Sequence, residues 1–127
     1  HAAASGRPYA CFVRPDTRIP FMTMPEAIDA IVQLASAESS RLTRCVYNIT
    51  SFSPSAGEVA ALVHRHFPDS KVTFEPDQAR QRIVDSWPAE VDDSAARNDW
   101  SFRPGHTLQS AFESYLVPRI TARYRGA

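Results

Sequence analysis

Histidines are the first residues in this sequence whose chemistry could define a site, because imidazole binds metals and transfers protons near neutral pH. His64 and His66 stand two positions apart in a segment with helical periodicity. Side chains two apart on a helix point to different sides, so this pair cannot chelate one metal ion as an i, i+4 pair would. We therefore expect solvated helix histidines, and the sequence predicts no metal site.

Adjacent carboxylates at Asp92 and Asp93 are the second candidate, since paired acids can serve as general acid and general base. Two acids immediately before a helix also stabilise its N-terminus by capping and through the helix dipole. That structural role is favoured here, because a helix is predicted to start at Ser94. The serines are not set in a nucleophile-elbow sequence, so they do not indicate hydrolase chemistry.

A nicotinamide cofactor would need a phosphate-binding loop and a base, and the sequence offers neither. Lys71 is the one lysine, and Phe67 stands four residues before it. A tyrosine at that spacing could act as a base, because the lysine would lower its pKa. The four glycines are too far apart to form a loop around a phosphate: Gly6, Gly57, Gly105 and Gly126. We predict no catalytic and no cofactor-binding residue in this chain, which alone should be inactive.

Composition narrows the class of protein further. The 127 residues are 43% hydrophobic, enough for one globular domain, and 14 basic residues balance 14 acidic ones. Because there is no excess of positive charge, nucleic acid is not expected to be a partner. The apolar stretches are too short to span a membrane. Cys11 and Cys45 are predicted to be reduced residues within buried strands, which favours a cytoplasmic location.

Strands and helices alternate along the chain. Runs rich in β-forming residues predict strands at 9–13, 44–50 and 71–75, and residues 18–22 are also expected to be extended. The segment 44–50 is the best strand candidate of the three.

The clearest helix start is at Thr23, where threonine as N-cap and glutamate at position 26 form a capping box, with Pro25 in the first turn. Hydrophobic residues at helical spacing then give this helix one apolar stripe: Ile28, Ile31, Val32 and Ala35.

Further helices are predicted after Ser53, around Ile83, after Asp93 and after Thr107, the last of them kinked or ended by Pro118. Alternating strands and helices predict an α/β fold of few short strands and amphipathic helices. So few strands make an incomplete sheet, and we expect an exposed sheet edge and uncovered helix faces that favour self-association.

Three stretches of the sequence resemble a known family. They are residues 17–27 (TRIPFMTMPEA), residues 47–50 (YNIT) with the following Ser53-Pro54, and residues 85–104, which contain DSWP, DDSAARNDW and then Phe102 and Pro104. Over roughly residues 7–118 the chain resembles the C-terminal part of extended short-chain dehydrogenase/reductases, the NAD-dependent epimerase/dehydratase family. The DSWP and DDSAAR segments match its L-threonine 3-dehydrogenase branch.

The resemblance implies that residues 1–127 form a single substrate-binding C-terminal domain or fragment, and that the N-terminal Rossmann half is absent from this chain. It implies NAD as the cofactor of the intact parent, with that Rossmann half as partner. The implied substrate is a hydroxy-amino acid such as L-threonine, oxidised to 2-amino-3-ketobutyrate, or alternatively a nucleotide-sugar. A stand-alone, non-enzymatic binding module is the third alternative.

The resemblance also implies substrate-side residues. The tryptophan matching Trp87 lies on the substrate side of the family's cleft, so Trp87 is a lid or pocket wall, or else an ordinary core residue. Arg18 matches an arginine that faces substrate phosphates in nucleotide-sugar epimerases. Here Ile19-Pro20 follows and Pro25 replaces a common acid, which favours Arg18 as a surface residue or an intrachain salt-bridge residue.

Met22 and Thr23 match positions near the family's substrate cleft. A helix cap with a core methionine is the alternative role for this pair, and it is favoured.

Overall fold

The computed structural model describes residues 1–124 as an α/β arrangement built on a small parallel sheet. The strands are β1, Tyr9–Cys11, and β2, Val72–Phe74, with Tyr9 opposite Val72 and Cys11 opposite Phe74. The helices are α1, Met24–Ser36; α2, Ala56–His66; α3, Gln78–Asp85; α4, Ser94–Trp100; α5, Leu108–Ala111; and α6, Val117–Tyr124. The predicted fold class, with its incomplete sheet, is confirmed.

Local sequence signals set the helix starts. The capping box of Thr23 and Glu26 opens α1, and Ser55 with Glu58 forms a second one at α2. Residues 18–22 are extended as predicted and make two isolated antiparallel bridges, Arg18 with Ser55 and Phe21 with Phe52. These bridges hold the segment before α1 against the segment before α2.

The core is small and lies between α1, α4 and the segment that follows α4. Its buried members are Ala30, Ala96, Trp100 and Phe102. Partly buried residues pack around them, namely Met22, Leu34, Ala37, Leu42, Tyr47 and Ile49. Trp100 meets Tyr47 edge-on with ring centroids 6.1 Å apart and Phe102 at 5.4 Å, so aromatic contacts supply much of this core.

The apolar stripe predicted for α1 faces solvent. Ile28, Ile31 and Val32 are all exposed, whereas Ala30 is buried and Leu34 packs on the core. The helix therefore has an inner apolar face, which includes Ala30 and Leu34, and an outer face of large hydrophobic residues. Periodicity finds both faces, but it cannot tell which one the chain itself covers.

The strand predicted at residues 44–50 is wrong. This segment is irregular, and Cys45 and Val46 are exposed, so Cys45 is not a buried strand residue. High β propensity reflects a fit to a sheet surface, and the described part of the chain offers this segment no strand to pair with. Tyr47 and Ile49 pack on the core instead.

The helical turns after Thr107 continue past Pro118 rather than ending there. A wider π-helical turn, Phe112–Leu116, separates α5 from α6. Proline has no N–H to give to the preceding turn, and Ser114 Oγ donates to the Ser110 carbonyl at 2.6 Å nearby. Of the kink or end predicted at Pro118, the end is wrong, because α6 continues to Tyr124, and a local widening precedes the proline.

Ser101 ends α4 in the left-handed conformation, with φ 60°, while Phe102 N donates to the Ala96 carbonyl. A residue with a Cβ is strained there. We expect Ser101→Gly to raise the free energy of unfolding by about 0.5–1 kcal/mol, measured by urea denaturation. Asn98→Gly, within the same helix, is the control and should lower it by a few tenths of a kcal/mol, roughly the propensity difference. Destabilisation by Ser101→Gly would contradict the strain.

Candidate functional site

A cleft of about 210 Å³ joins the turn after β1 to the end of α3. It is lined by charged and polar side chains together with one large aromatic ring: Arg14, Asp16, Thr17, Arg18, Val84, Asp85, Trp87 and Ala89. Two of the four residues predicted from the sequence, Arg18 and Trp87, therefore meet at one cleft although 69 positions separate them in the sequence.

Gln81 forms hydrogen bonds with three of the residues that line this cleft. The residue is 5% exposed, and its Oε1 accepts a hydrogen bond from Arg14 N at 2.7 Å. Its Nε2 donates to Thr17 Oγ1 at 3.0 Å and to Asp85 Oδ1 at 2.7 Å. A buried amide with its hydrogen bonds made fixes the turn after β1 against α3. Sequence analysis missed Gln81; its i, i+4 spacing to Asp85 on a short helix was the available signal.

An ion pair between Arg14 and Asp85 crosses the cleft. The guanidinium donates from Nη1 at 3.2 Å and from Nη2 at 3.0 Å to the two carboxylate oxygens, a bidentate geometry. Arg14 Nε also lies 3.3 Å from Asp16 Oδ1. The hydrogen bonds from Arg14 and Gln81 lower the pKa of Asp85, and the bond to Asp85 raises the pKa of Arg14. The carboxylate is held charged and is not a proton donor at neutral pH.

Arg18 lines the cleft but uses both terminal nitrogens within the chain. Nη1 donates to the Ser53 carbonyl at 2.7 Å, and Nη2 lies 3.0 Å from Glu58 Oε2. These contacts hold the extended segment 18–22 against the start of α2. The intrachain salt bridge favoured from the sequence is thus present, and it competes with any role in binding a diphosphate.

Trp87 stands at the rim, where α3 ends and Trp87 N donates to the Val84 carbonyl at 3.0 Å. The side chain is 54% exposed, so it is not a core residue of the described chain. An exposed indole followed by Pro88 presents a broad apolar surface to whatever enters the cleft. Its assignment as a pocket wall stays a prediction.

Met22 and Thr23 do not line the cleft. Met22 packs against the core, and Thr23 is buried with its hydroxyl donating to Glu26 Oε2 at 2.8 Å. Both residues serve packing and capping within the described chain. Their substrate-side role by resemblance remains a prediction that these contacts do not support.

The remaining candidates have structural roles. Asp92 Oδ1 accepts from Ser94 N at 2.9 Å, and Asp93 pairs with Arg97 at 2.7 Å, so these acids stabilise the start of α4 as favoured. His64 is exposed as expected. His66 is instead half-buried and stacks on Phe112 with centroids 6.2 Å apart, so the solvated assignment is wrong for His66.

A larger groove of about 490 Å³ lies between α2 and the start of α5. It contains none of the sequence-predicted residues. Its lining consists of Glu58, Ala61, Leu62, Arg65, Thr107, Leu108 and Gln109. The smaller cleft is the better candidate, because it combines polar residues fixed by hydrogen bonds with an exposed aromatic wall.

Every helix within residues 1–124 is too short or too polar to span a bilayer.

Comparison with known proteins reveals relatives over most of the chain, although no family model matches. A mitochondrial L-threonine 3-dehydrogenase of Bos taurus is 37% identical over 116 residues, which cover 91% of this chain and 31% of the relative. An uncharacterised epimerase/dehydratase of Staphylococcus haemolyticus is also 37% identical over 116 residues, covering 91% of this chain and 36% of the relative. The chain thus spans about a third of the length of the curated relatives it matches.

Solved structures give the same correspondence. The apo form of a GalE-like L-threonine dehydrogenase from Cupriavidus necator superposes with a TM-score of 0.84 at 36% identity, covering 97% of this chain and 43% of that one. The L-threonine dehydrogenase of Clostridium difficile superposes with a TM-score of 0.88 at 29% identity, covering 97% and 39%. In each case the match falls on the C-terminal portion of the longer enzyme.

Proposed function

Because this chain is a homologue of the C-terminal portions of GalE-like L-threonine dehydrogenases and of epimerase/dehydratases, we propose that it is the substrate-side portion of an NAD-dependent oxidoreductase. The substrate is L-threonine or a similar small hydroxy-amino acid. The observation that carries the proposal is the 34–37% identity to L-threonine dehydrogenases over nearly the whole chain.

The contacts of Arg18 favour a small substrate. Arg18, the arginine that a diphosphate would need, already binds Ser53 and Glu58. A small zwitterion needs fewer cations than a nucleotide-sugar does, so these contacts favour the amino acid.

The residues at the start of α2 do not fit NAD. A helix N-terminus with free amides is the usual cradle for its pyrophosphate. At α2 those amides are taken, because Ala56 N donates to the Thr17 carbonyl at 2.9 Å and Gly57 N to the Pro15 carbonyl at 2.8 Å. A Cβ built on Gly57 would lie 3.2 Å from that Pro15 oxygen, so this glycine serves close backbone approach. NAD binding in the parent is therefore assigned to its other portion.

A substrate domain of a nucleotide-sugar epimerase or dehydratase is the alternative. It is favoured by the equal identity to uncharacterised epimerase/dehydratases. The two proposals differ in which ligand stabilises the parent. UDP-sugars, and not threonine, should raise the melting temperature if the alternative holds, and Arg18→Ala should abolish that increase.

The first experiment measures NADH formation from NAD and L-threonine by the longest polypeptide encoded around this segment, with the 127-residue chain alongside. We expect turnover by the long polypeptide and none by the chain alone. Turnover by the chain alone would contradict the proposal. If neither turns over threonine while UDP-sugars protect the long polypeptide, the alternative is supported.

Trp87→Ala in the long polypeptide should lower kcat/KM for L-threonine about tenfold, mainly through KM. The physical reason is loss of an apolar wall worth about 1.4 kcal/mol of binding. Steady-state kinetics provide the measurement. Ile83→Ala is the matched control, since Ile83 is similarly exposed on α3 but does not line the cleft. Equal loss in both variants, or none in Trp87→Ala, would remove Trp87 from the site.

A cytoplasmic location of the parent remains part of the proposal.

A further inference from the structure

Helix α1 is apolar over more than half of its circumference, which includes an inner and an outer face. Its inner face packs on the core through Ala30 and Leu34. Its outer face consists of large hydrophobic side chains, each between 56% and 66% exposed: Met24, Ile28, Ile31 and Val32. A surface helix normally has one apolar stripe, and a helix that is hydrophobic nearly all round is buried between two layers. The outer face of α1 therefore has the composition of an interior surface.

The outer face differs from an ordinary solvent-exposed helix face because it contains no charged residue. The polar residues of α1 beyond its first turn are confined to one narrow strip: Asp29, Gln33 and Ser36. The outer face itself contains no charged residue, so its complement must be uncharged and apolar. Contiguous apolar surface of this kind marks an interaction site in soluble proteins.

The sheet, like the outer face of α1, lacks a neighbouring layer of structure. Strands β1 and β2 are parallel, and the sheet has only these two strands in the described part of the chain. Parallel strands occur almost solely in larger sheets whose two faces are covered, and a two-stranded sheet is marginally stable in water. Tyr9, on β1, is nearly half exposed. The sheet and α1 both lack a neighbour that a longer polypeptide could supply.

We propose that the outer face of α1 is the docking surface for the N-terminal, cofactor-binding portion of the same polypeptide. This inference rests on the proposed function. The relatives indicate which segment covers this face. This chain covers 31–36% of the curated relatives and matches the C-terminal portions of the solved ones, so an N-terminal portion is available in each. The rest of each relative is about twice as long as the matched part and precedes it.

A second copy of this chain is a poorer occupant. A stable dimer buries roughly 800 Å² per partner, more than four side chains on one 13-residue helix provide. A covalently attached domain needs less area, because its effective concentration at the surface is high. The size of the face therefore favours a contact within one polypeptide.

Cysteine labelling tests the proposal without reference to the substrate. Ile31→Cys is reacted with a maleimide in the 127-residue chain and in the longest encoded polypeptide, and labelling is located by peptide mass spectrometry. We expect Ile31→Cys to react at least tenfold more slowly in the long polypeptide. Gln33→Cys, on the polar strip, should react equally in both. Equal labelling at position 31, or a longest polypeptide with no N-terminal portion, would overturn the proposal.

Two further measurements on the 127-residue chain test whether the outer face of α1 is covered by the chain itself or by a second copy. Ile31→Glu and Gln33→Glu should each leave the melting temperature within about 2 °C of that of the unsubstituted 127-residue chain, because neither side chain is packed. A large drop for Ile31→Glu alone would mean that the chain covers this face itself, and the proposal fails. Protection of Ile31→Cys that disappears on dilution would assign the face to a second copy. Threonine turnover is measured separately, so the proposed function can fail while this interface stands.

Discussion

Replacing Glu26 with glutamine should destabilise the fold by about 3 kcal/mol at neutral pH. The side chain is 10% exposed, and its two oxygens accept from three separate segments. Oε2 accepts from Thr23 Oγ1 and from Ser51 Oγ at 3.1 Å, and Oε1 accepts from Gly105 N and His106 N at 2.7 and 2.8 Å. A glutamine offers a donor in place of one of these acceptors, so one set of hydrogen bonds is lost. Urea denaturation at pH 7 measures the effect.

The same substitution should have a defined pH dependence. Burial raises the pKa of Glu26, but the hydrogen bonds from Thr23, His106 and Gly105 outweigh it and hold the pKa at about 2 instead of 4.5. A carboxylate with a lowered folded-state pKa stabilises the fold above its unfolded pKa, and that contribution is lost as the pH falls toward the folded value. The difference in free energy of unfolding between the unsubstituted chain and Glu26→Gln should therefore be constant above about pH 5 and shrink between pH 4.5 and 2.

His106 Nδ1 lies 3.2 Å from Glu26 Oε2, and no hydrogen bond joins these two atoms. Glu38→Gln is the control, because Glu38 is exposed in the turn after α1, and it should leave the stability nearly unchanged at every pH. A Glu26→Gln difference that stays constant down to pH 3 would contradict the role of the charge.

Asp99→Ala should lower the melting temperature by roughly 5 °C or more. The residue is buried, and its Oδ2 accepts from Thr43 N at 2.9 Å, Thr43 Oγ1 at 2.7 Å and Tyr47 Oη at 2.6 Å. Truncation leaves these donors unpaired near the core, and an unsatisfied buried donor costs more than the bond itself contributed. Thermal unfolding followed by circular dichroism measures the effect.

Two variants locate the cause of this loss. Tyr47→Phe removes one of the three donors, so its effect should be smaller than that of Asp99→Ala, and the two effects should not add. Asp69→Asn, at an exposed acid, should change little. Additive losses in the double variant would mean that Asp99 and Tyr47 stabilise the core independently.

Local signals in the sequence predicted the helices and the resemblance to a known family well. The threonine and glutamate of α1 form the expected capping box, and the resemblance to the epimerase/dehydratase family is confirmed by relatives and solved structures. Such features depend on neighbouring residues or on short motifs in the sequence. The segment 44–50 failed because pairing of a strand depends on a partner that local propensity does not supply.

The candidate cleft shows the same limit. Trp87 and Arg18 were selected by resemblance, and the structure brings them to one cleft. Arg14 gives no periodic or motif signal, and the one local signal for Gln81 is its i, i+4 spacing to Asp85. Their roles depend on contacts across 67 and 71 positions of sequence, which only the folded chain reveals.

The pairing of β1 with β2 has a consequence for how this chain folds. The helices α1 and α2 lie between the two strands in sequence, and each has its own capping box, so each can begin to form locally. The parallel ladder can form only after the whole intervening segment has closed into a loop, which places the sheet among the slower contacts. The length of that loop matters little, since each doubling costs only about 0.6 kcal/mol. Insertions between the strands should therefore be better tolerated than the loss of either strand, because removing one leaves the other unpaired.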